Sequence, residues 1–130
     1  MTDSNSAAGI VWDLGDLFAA PDDPRIDQTL DACQADAEAF ARAYRGTISV
    51  AGGPAPDHLL GGLEAMELIF ERAYRVAAYS GLLYSADTAS TVHRQLQQKV
   101  EQRMTALRNL MLFFDLEWLA VDDESASRLI

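Results

Sequence analysis

The chain has 130 residues, of which 49 % are hydrophobic and 23 % charged. This balance is typical of a single folded domain that buries its own core. Its net charge of −10 disfavours binding to nucleic acid and to anionic membrane surfaces, since both carry the same sign of charge. One cysteine excludes an internal disulfide, and the N-terminus lacks the basic and apolar regions of a secretion signal. We therefore expect a soluble, cytoplasmic protein.

The N-terminal part of the sequence carries little helical signal. Residues 1–10 are mainly small or polar and are expected to form a loose N-terminus. The segment Trp12–Phe18 alternates apolar side chains with two aspartates and is too short for a long helix. We expect it to be extended and to place Trp12 on the surface of a helical bundle formed by residues 11–130.

The spacing of apolar residues predicts a first helix over Pro24–Arg45. Asp22 or Asp23 suits the N-cap, and Pro24 suits the first turn. Gly46 is a plausible C-terminal stop. One stripe at spacings of three and four is expected to face the core, and it consists of Ile26, Leu30, Cys33, Ala37, Phe40 and Tyr44.

A second, longer helix follows a loop at Ala51–Pro56, and Asp57 is the candidate cap. The short β-branched segment Thr47–Val50 is expected to extend briefly before that loop. Gly61 and Gly62 weaken the helix but permit a close approach of another backbone. The later part, Arg75–Thr88, is apolar on nearly every side and must be covered on most of its circumference. The two predicted core stripes are Leu59, Leu63, Met66, Phe70, Ala73 and Ala77, and Leu60, Ile69, Val76 and Leu83.

A third helix of roughly 30 residues is predicted by a further stripe. Asp87 and Thr88 end the second helix or cap the third, and the residues Asp122–Ser125 break the pattern. Its second half, Leu110–Trp118, is apolar on almost all sides. The fold class is therefore all-α, an up-down-up bundle of three long antiparallel helices with an N-terminal extended segment. The third stripe consists of Val92, Leu96, Val100, Met104, Leu107, Met111, Phe114, Trp118 and Val121.

Few residues in this sequence are suited to metal binding or nucleophilic catalysis. His58, His93 and Cys33 supply the only nitrogen or sulfur ligands of the histidine and cysteine type, and no His-Glu-x-x-His or Glu-x-x-His motif is present. A site built from both histidines and a carboxylate is less favoured than two partly exposed histidines. Cys33 lies on the first core stripe, where a buried, inert thiol is the common case.

The remaining polar groups have structural explanations. Capping accounts for the pair Asp22 and Asp23, and solvation accounts for the pair Asp122 and Asp123. No lysine of a phosphate loop follows either glycine pair. We assign no catalytic, cofactor-binding or metal-binding residue in this chain. Three tyrosines are expected to pack in the core, namely Tyr74, Tyr79 and Tyr84.

Several separate blocks of sequence resemble the N-terminal region of the M3 family metallopeptidases, in the oligoendopeptidase F branch. They occur in the same order as in that family and span nearly the whole chain. The central block is similar to the family pattern Tyr-x-x-Leu-x-Tyr-x-Ala-Asp-Thr. In the first block, Trp12–Phe18, Gly15 and Phe18 depart from the family, where Ser or Thr and Tyr are expected. The blocks are Trp12–Phe18, Asp22–Ile26, Phe40–Gly46, Tyr79–Thr88 and Phe113–Glu117.

The resemblance implies a non-catalytic helical N-terminal domain, or a fragment of one, from a larger zinc peptidase that cleaves short peptides. In that family the domain forms part of the wall over a deep channel, and zinc is held by a His-Glu-x-x-His helix and a later Glu. Neither occurs in this chain, so no cofactor is expected here, and peptide substrate is reached only through the catalytic domain. The chain then represents an incomplete N-terminal domain.

Two other hypotheses remain open at this point. A stand-alone bundle could act as a self-associating scaffold or interaction module, most simply a homodimer formed through exposed apolar helix faces. A small enzyme with an unrecognised site is the third hypothesis.

Overall fold

A computed structural model describes residues 18–129 of the chain. It contains the helices α1 (Pro24–Tyr44), α2 (Pro56–Ala86), α3 (Thr91–Leu119) and the short α4 (Asp123–Leu129). The predicted all-α architecture is confirmed, and residues 47–50, expected to extend briefly, form bends in place of a strand. The predictions for residues 1–10 and for Trp12 lie outside the described residues.

The three long helices run up, down and up, and each packs against the other two. Asp27 and Asp31 on α1 bind Lys99 and Arg103 on α3 in the same order along the chain, at 2.8 and 2.7 Å. Such an order requires α1 and α3 to be parallel. Since α2 is joined to both by short connections, it lies antiparallel to them.

The core stripes predicted for α1 and α3 are largely confirmed. Tyr44 is only half-buried at the end of the α1 stripe, as is Trp118 towards the end of α3, and Val92 at the start of α3 is exposed. The remaining members of both stripes form one continuous core with α2, and they are Ile26, Leu30, Cys33, Ala37, Phe40, Leu96, Val100, Met104, Leu107, Met111, Phe114 and Val121.

The predicted burial of α2 is partly wrong. Ile69, Ala73, Val76 and Tyr79 are buried as expected, but several members of the two stripes are half-buried or exposed. Among the described residues, α2 packs mainly against α1 and α3, so one side of this 31-residue helix remains largely in solvent. The exposed residues that the sequence placed in the core are Leu60, Leu63 and Tyr74.

The cap of α1 is the predicted one. Asp23 is the N-cap, its carboxylate accepts hydrogen bonds from the backbone N–H groups of Ala19 and Arg25, and Pro24 begins the helix. For α2 the predicted cap is wrong, because the helix begins at Pro56 and Asp57 already lies in its first turn. There its negative charge stabilises the positive end of the helix.

One of the two alternatives predicted for Asp87 and Thr88 is confirmed, because Asp87 ends α2. The cap of α3 is Ser90, whose hydroxyl accepts from the backbone N–H of His93 at 3.2 Å. Asp122, interpreted above as merely solvated, accepts from the backbone N–H of Ser125 at 3.0 Å and so caps α4. Hydrogen bonds from the side chain and from the backbone of Ser125 lower the pKa of Asp122.

Candidate interaction surface

His58 is fixed in a structural hydrogen-bond arrangement at the start of α2. Its Nε2 lies 2.7 Å from the hydroxyl of Thr47, which itself donates to the carbonyl oxygen of Tyr44 at 2.6 Å. These contacts hold the His58 ring of α2 against the segment that follows α1.

The other candidate groups are likewise placed for structure. Cys33 is fully buried, with its thiol 3.7 Å from the carbonyl oxygen of Ile69, and burial raises the pKa of the thiol. An apolar environment of this kind keeps a cysteine unreactive. His93 lies in the first turn of α3, at the opposite end of the bundle from His58. Within residues 18–129, no three His, Cys, Asp or Glu side chains come together where they could hold a metal ion.

Glu117 connects α3 to the segment that follows α1. Its carboxylate accepts hydrogen bonds from the backbone N–H groups of Gly46, Ile48 and Ser49, at 2.7, 3.0 and 3.2 Å. Burial alone would raise the pKa of Glu117, but these donors together outweigh that effect and lower it. The positive φ of Gly46 (79°) lets the chain turn back to α3. No sequence signal for this connection was recognised, because it joins residues far apart in the chain.

An aromatic cluster lies beside this connection. The ring of Phe40 on α1 is 5.6 Å from the rings of both Phe113 and Phe114 on α3, and 4.9 Å from Tyr44. The guanidinium of Arg45 lies over the ring of Phe113 at 4.6 Å. Aromatic and cation–π contacts of this kind stabilise the bundle end where α1 finishes.

The largest group of uncovered apolar side chains lies at the same end of the bundle, on α2 and α3. The ring of Phe114 is close to the backbone of Gly62, so the beginning of α2 adjoins the end of α3. Five leucines there are between 47 % and 78 % exposed, at spacings of three and four on each helix. This leucine patch consists of Leu60, Leu63, Leu112, Leu116 and Leu119.

The leucine patch contains a depression of about 280 Å³. Its lining is apolar except for the carboxylate of Asp115, which α3 presents between Leu112 and Leu116. A cavity of this size and composition accepts one large apolar side chain. The residues that line it are Leu59, Leu63, Phe114, Asp115, Trp118 and Leu129.

Acidic residues on α2, α3 and α4 lie close to the leucine patch, and one basic residue, Arg128 of α4, lies near Asp122. Glu64 and Glu67 follow Leu60 and Leu63 by one helical turn each, and Asp115 lies within the α3 part of the patch. α4, whose Leu129 lines the depression, begins at a run of three acids. All members of this acidic rim are exposed, and they are Asp57, Glu64, Glu67, Asp115, Asp122, Asp123 and Glu124.

Further along the α2–α3 side, a second depression of about 400 Å³ separates the two helices. Ala77 and Ser80 line it from α2, and their small side chains leave the space open. From α3 the lining is mixed, with apolar Val100 and Met104 beside polar or charged side chains, namely Gln97, Glu101, Thr105 and Arg108. The α2–α3 side of the bundle is therefore an elongated surface, with a leucine patch at one end and a shallow groove beyond it.

No family model, no curated protein and no solved structure matches this chain. In the part of the chain that the structure describes, none of the helices has the length and apolar character needed to cross a membrane. Function is therefore inferred from the residues and their geometry.

Proposed function

We propose that this chain is the non-catalytic N-terminal helical domain of an oligoendopeptidase F-like zinc metallopeptidase that cleaves short peptides. The observation that carries the proposal concerns the blocks on which the resemblance rests. Phe40–Gly46 and Phe113–Glu117 are far apart in sequence, yet they meet through the aromatic cluster and through the hydrogen bond from Gly46 to Glu117. Contacts between these blocks stabilise the bundle, which is the role expected of them in a non-catalytic domain.

The other described blocks have similar roles, which supports the same proposal. Asp23, in the block Asp22–Ile26, caps α1, and its carboxylate binds the Arg25 side chain at 2.6 Å. Phe18 packs edge-on against Tyr79 of the central block, with 5.2 Å between the ring centres. Each of these side chains positions helices, and none is free for chemistry on a substrate.

The proposal divides the work between two parts of one enzyme. Zinc and the peptide-cleaving residues belong to a catalytic domain outside these 130 residues, since the sequence here has no His-Glu-x-x-His motif. Peptide substrate is bound through that domain. A reducing cytoplasm is the proposed location, because a lone buried thiol such as Cys33 needs no oxidising environment.

The proposal is tested by recovering the natural polypeptide from its source cells with an antibody raised against this chain. We expect a polypeptide much larger than the 14.2 kDa of the 130 residues, with bound zinc detectable by elemental analysis. Recovery of a 14.2 kDa polypeptide without zinc would contradict the proposal.

The exposed leucines of the leucine patch support a second candidate function, a stand-alone bundle that self-associates as a scaffold or interaction module, whereas the acidic residues around them oppose it. Exposed apolar patches of this kind commonly mark protein interfaces. Light scattering of the purified chain at micromolar concentration distinguishes the two candidates. A dimer supports self-association, whereas a clean monomer argues against it.

A further inference from the structure

We propose that the leucine patch is a docking site for a cationic amphipathic helix supplied by another protein. The proposal does not depend on a peptidase domain, because it concerns a surface that lies entirely within the described residues. It rests on three properties of that surface: its exposed apolar side chains, its elongated shape and its acidic rim.

The apolar side chains give the site its binding energy. Leu116 and Leu119 are 57 % and 78 % exposed, so the bundle gains little from them and a partner gains most of their burial. The depression between Leu63 and Trp118 provides a pocket for one large apolar anchor. Interfaces draw most of their affinity from such central, fully desolvated anchors.

The shape of the surface fits a helix. Two antiparallel helices, α2 and α3, border the leucine patch and the groove that follows it. A third helix lies naturally between two such rows of side chains, because its own ridges fit the groove between them. A partner with apolar residues at spacings of three and four would fill the depression and the groove together.

The acidic rim determines the charge of the partner. Glu64, Glu67 and Asp115 flank the leucines, and their carboxylates are exposed to solvent. Lysine or arginine on both flanks of an apolar stripe would lie opposite these carboxylates. Complementary charges around an apolar centre raise association rates and exclude wrongly charged partners.

The same charges argue against a second copy of this chain as the occupant. Two copies that met through the leucine patch would bring two acidic rims together, and each chain carries a net charge of −10. Like charges placed opposite each other at an interface weaken it substantially. The surface is therefore suited to a partner of the opposite charge.

The test uses the 130-residue chain and a synthetic helical peptide that carries one leucine stripe with lysines on both flanks. A matched peptide has glutamate in place of every lysine and keeps the leucine stripe. We expect the lysine peptide to bind at least about tenfold more tightly in fluorescence anisotropy titrations. Its affinity should fall as salt rises from about 0.05 M to about 0.5 M, since exposed charges are then screened.

Two variants and a matched control locate the site. The double variant Leu116→Ser/Leu119→Ser is expected to weaken lysine-peptide binding at least about tenfold. Leu68→Ser is the control, because Leu68 is also 62 % exposed but lies on another side of α2 and should leave binding unchanged. Asp115→Asn should weaken binding less and reduce its salt dependence. Circular dichroism confirms that each variant is folded.

Three results would overturn the proposal. The first is equal affinity for the lysine and glutamate peptides, which would remove the role of the acidic rim. The second is an equal loss of binding in Leu68→Ser, which would place the peptide elsewhere. The third is a dimer in sedimentation that Leu116→Ser/Leu119→Ser dissociates, which would show that a second copy covers the leucine patch.

Discussion

At the scale of single residues, Glu117 has the most connections between distant parts of the chain. Its carboxylate accepts three backbone N–H donors from the segment after α1, and Ile48 in that segment is fully buried. Hydrogen bonds to an ionised acceptor are stronger than neutral ones. Glu117 therefore holds a buried loop residue in place as well as joining α1 to α3.

Glu117→Gln should lower the free energy of unfolding by about 1–3 kcal/mol, because an amide offers one oxygen and no charge to three donors. Urea denaturation measures the change. Glu101→Gln, at an exposed position earlier on α3, is the matched control and should have little effect. Equal denaturation midpoints for the two variants would show that the Glu117 contacts contribute little to stability.

The same residue predicts a pH dependence. The pKa of Glu117 is lower in the folded chain than its usual value of 4.5, so the unfolded chain takes up the proton first as pH falls. The stabilisation from Glu117 is complete above the usual pKa of 4.5, and it is lost as the pH falls through the lower pKa of the folded chain. The difference in melting temperature between the natural chain and Glu117→Gln should therefore shrink between pH 7 and about pH 3. A constant difference would contradict the account.

At the scale of helices, the packing of α2 against α3 depends on one glycine. A Cβ atom on Gly62 would lie 2.5 Å from the Phe114 ring, whereas one on Gly81 would meet no described atom within 4 Å. The sequence predicted a close approach of another backbone at the glycine pair, whereas the structure places the side chain of Phe114 against Gly62. The ring that fills the space left by the missing side chain also belongs to the aromatic cluster.

Gly62→Ala should destabilise the bundle by about 1–3 kcal/mol, because the Phe114 ring must move within a packed core. Gly81→Ala should stabilise it by about 0.5–1 kcal/mol, since alanine favours the helix and has room there. Thermal denaturation of both variants checks the contrast. Stabilisation of both variants would contradict this prediction, because it would show that the Phe114 ring moves aside without a loss of folding free energy.

The helices themselves were largely predictable from sequence. α1 and α3 each carry one dominant apolar stripe, and periodicity alone identifies which side is buried. α2 carries apolar residues on several sides, so the pattern could not tell that Leu63 and Tyr74 face solvent while Tyr79 is buried. Several neighbouring polar residues could cap the same helix, so the sequence alone indicates Asp87 or Thr88 as readily as Ser90, which is the cap of α3.

At the scale of the whole molecule, the bundle covers its helices unevenly. α1 packs against both other helices, whereas on the opposite side of α2 and α3 the described residues place only the end of α4, through Leu129. The sequence showed an excess of apolar residues in Leu110–Trp118 but not where they would lie. Only the antiparallel arrangement of α2 and α3 brings the start of α2, which carries Leu60 and Leu63, to the same end of the bundle as Leu116 on α3.

The proposed division between structure and chemistry is a claim about the whole enzyme. On this account, the 130 residues supply helices and a docking surface, and the catalytic domain supplies zinc and peptide cleavage. The side chains that carry the family resemblance are then needed for folding and not for catalysis.

The most direct measurement compares the 130-residue chain with the natural polypeptide recovered from its source cells, assayed side by side on a quenched fluorescent peptide. We predict that the natural polypeptide cleaves the peptide and loses this activity on chelation, while the 130-residue chain cleaves none with added zinc. Cleavage by the 130-residue chain itself, or no cleavage by the natural polypeptide, would contradict the account.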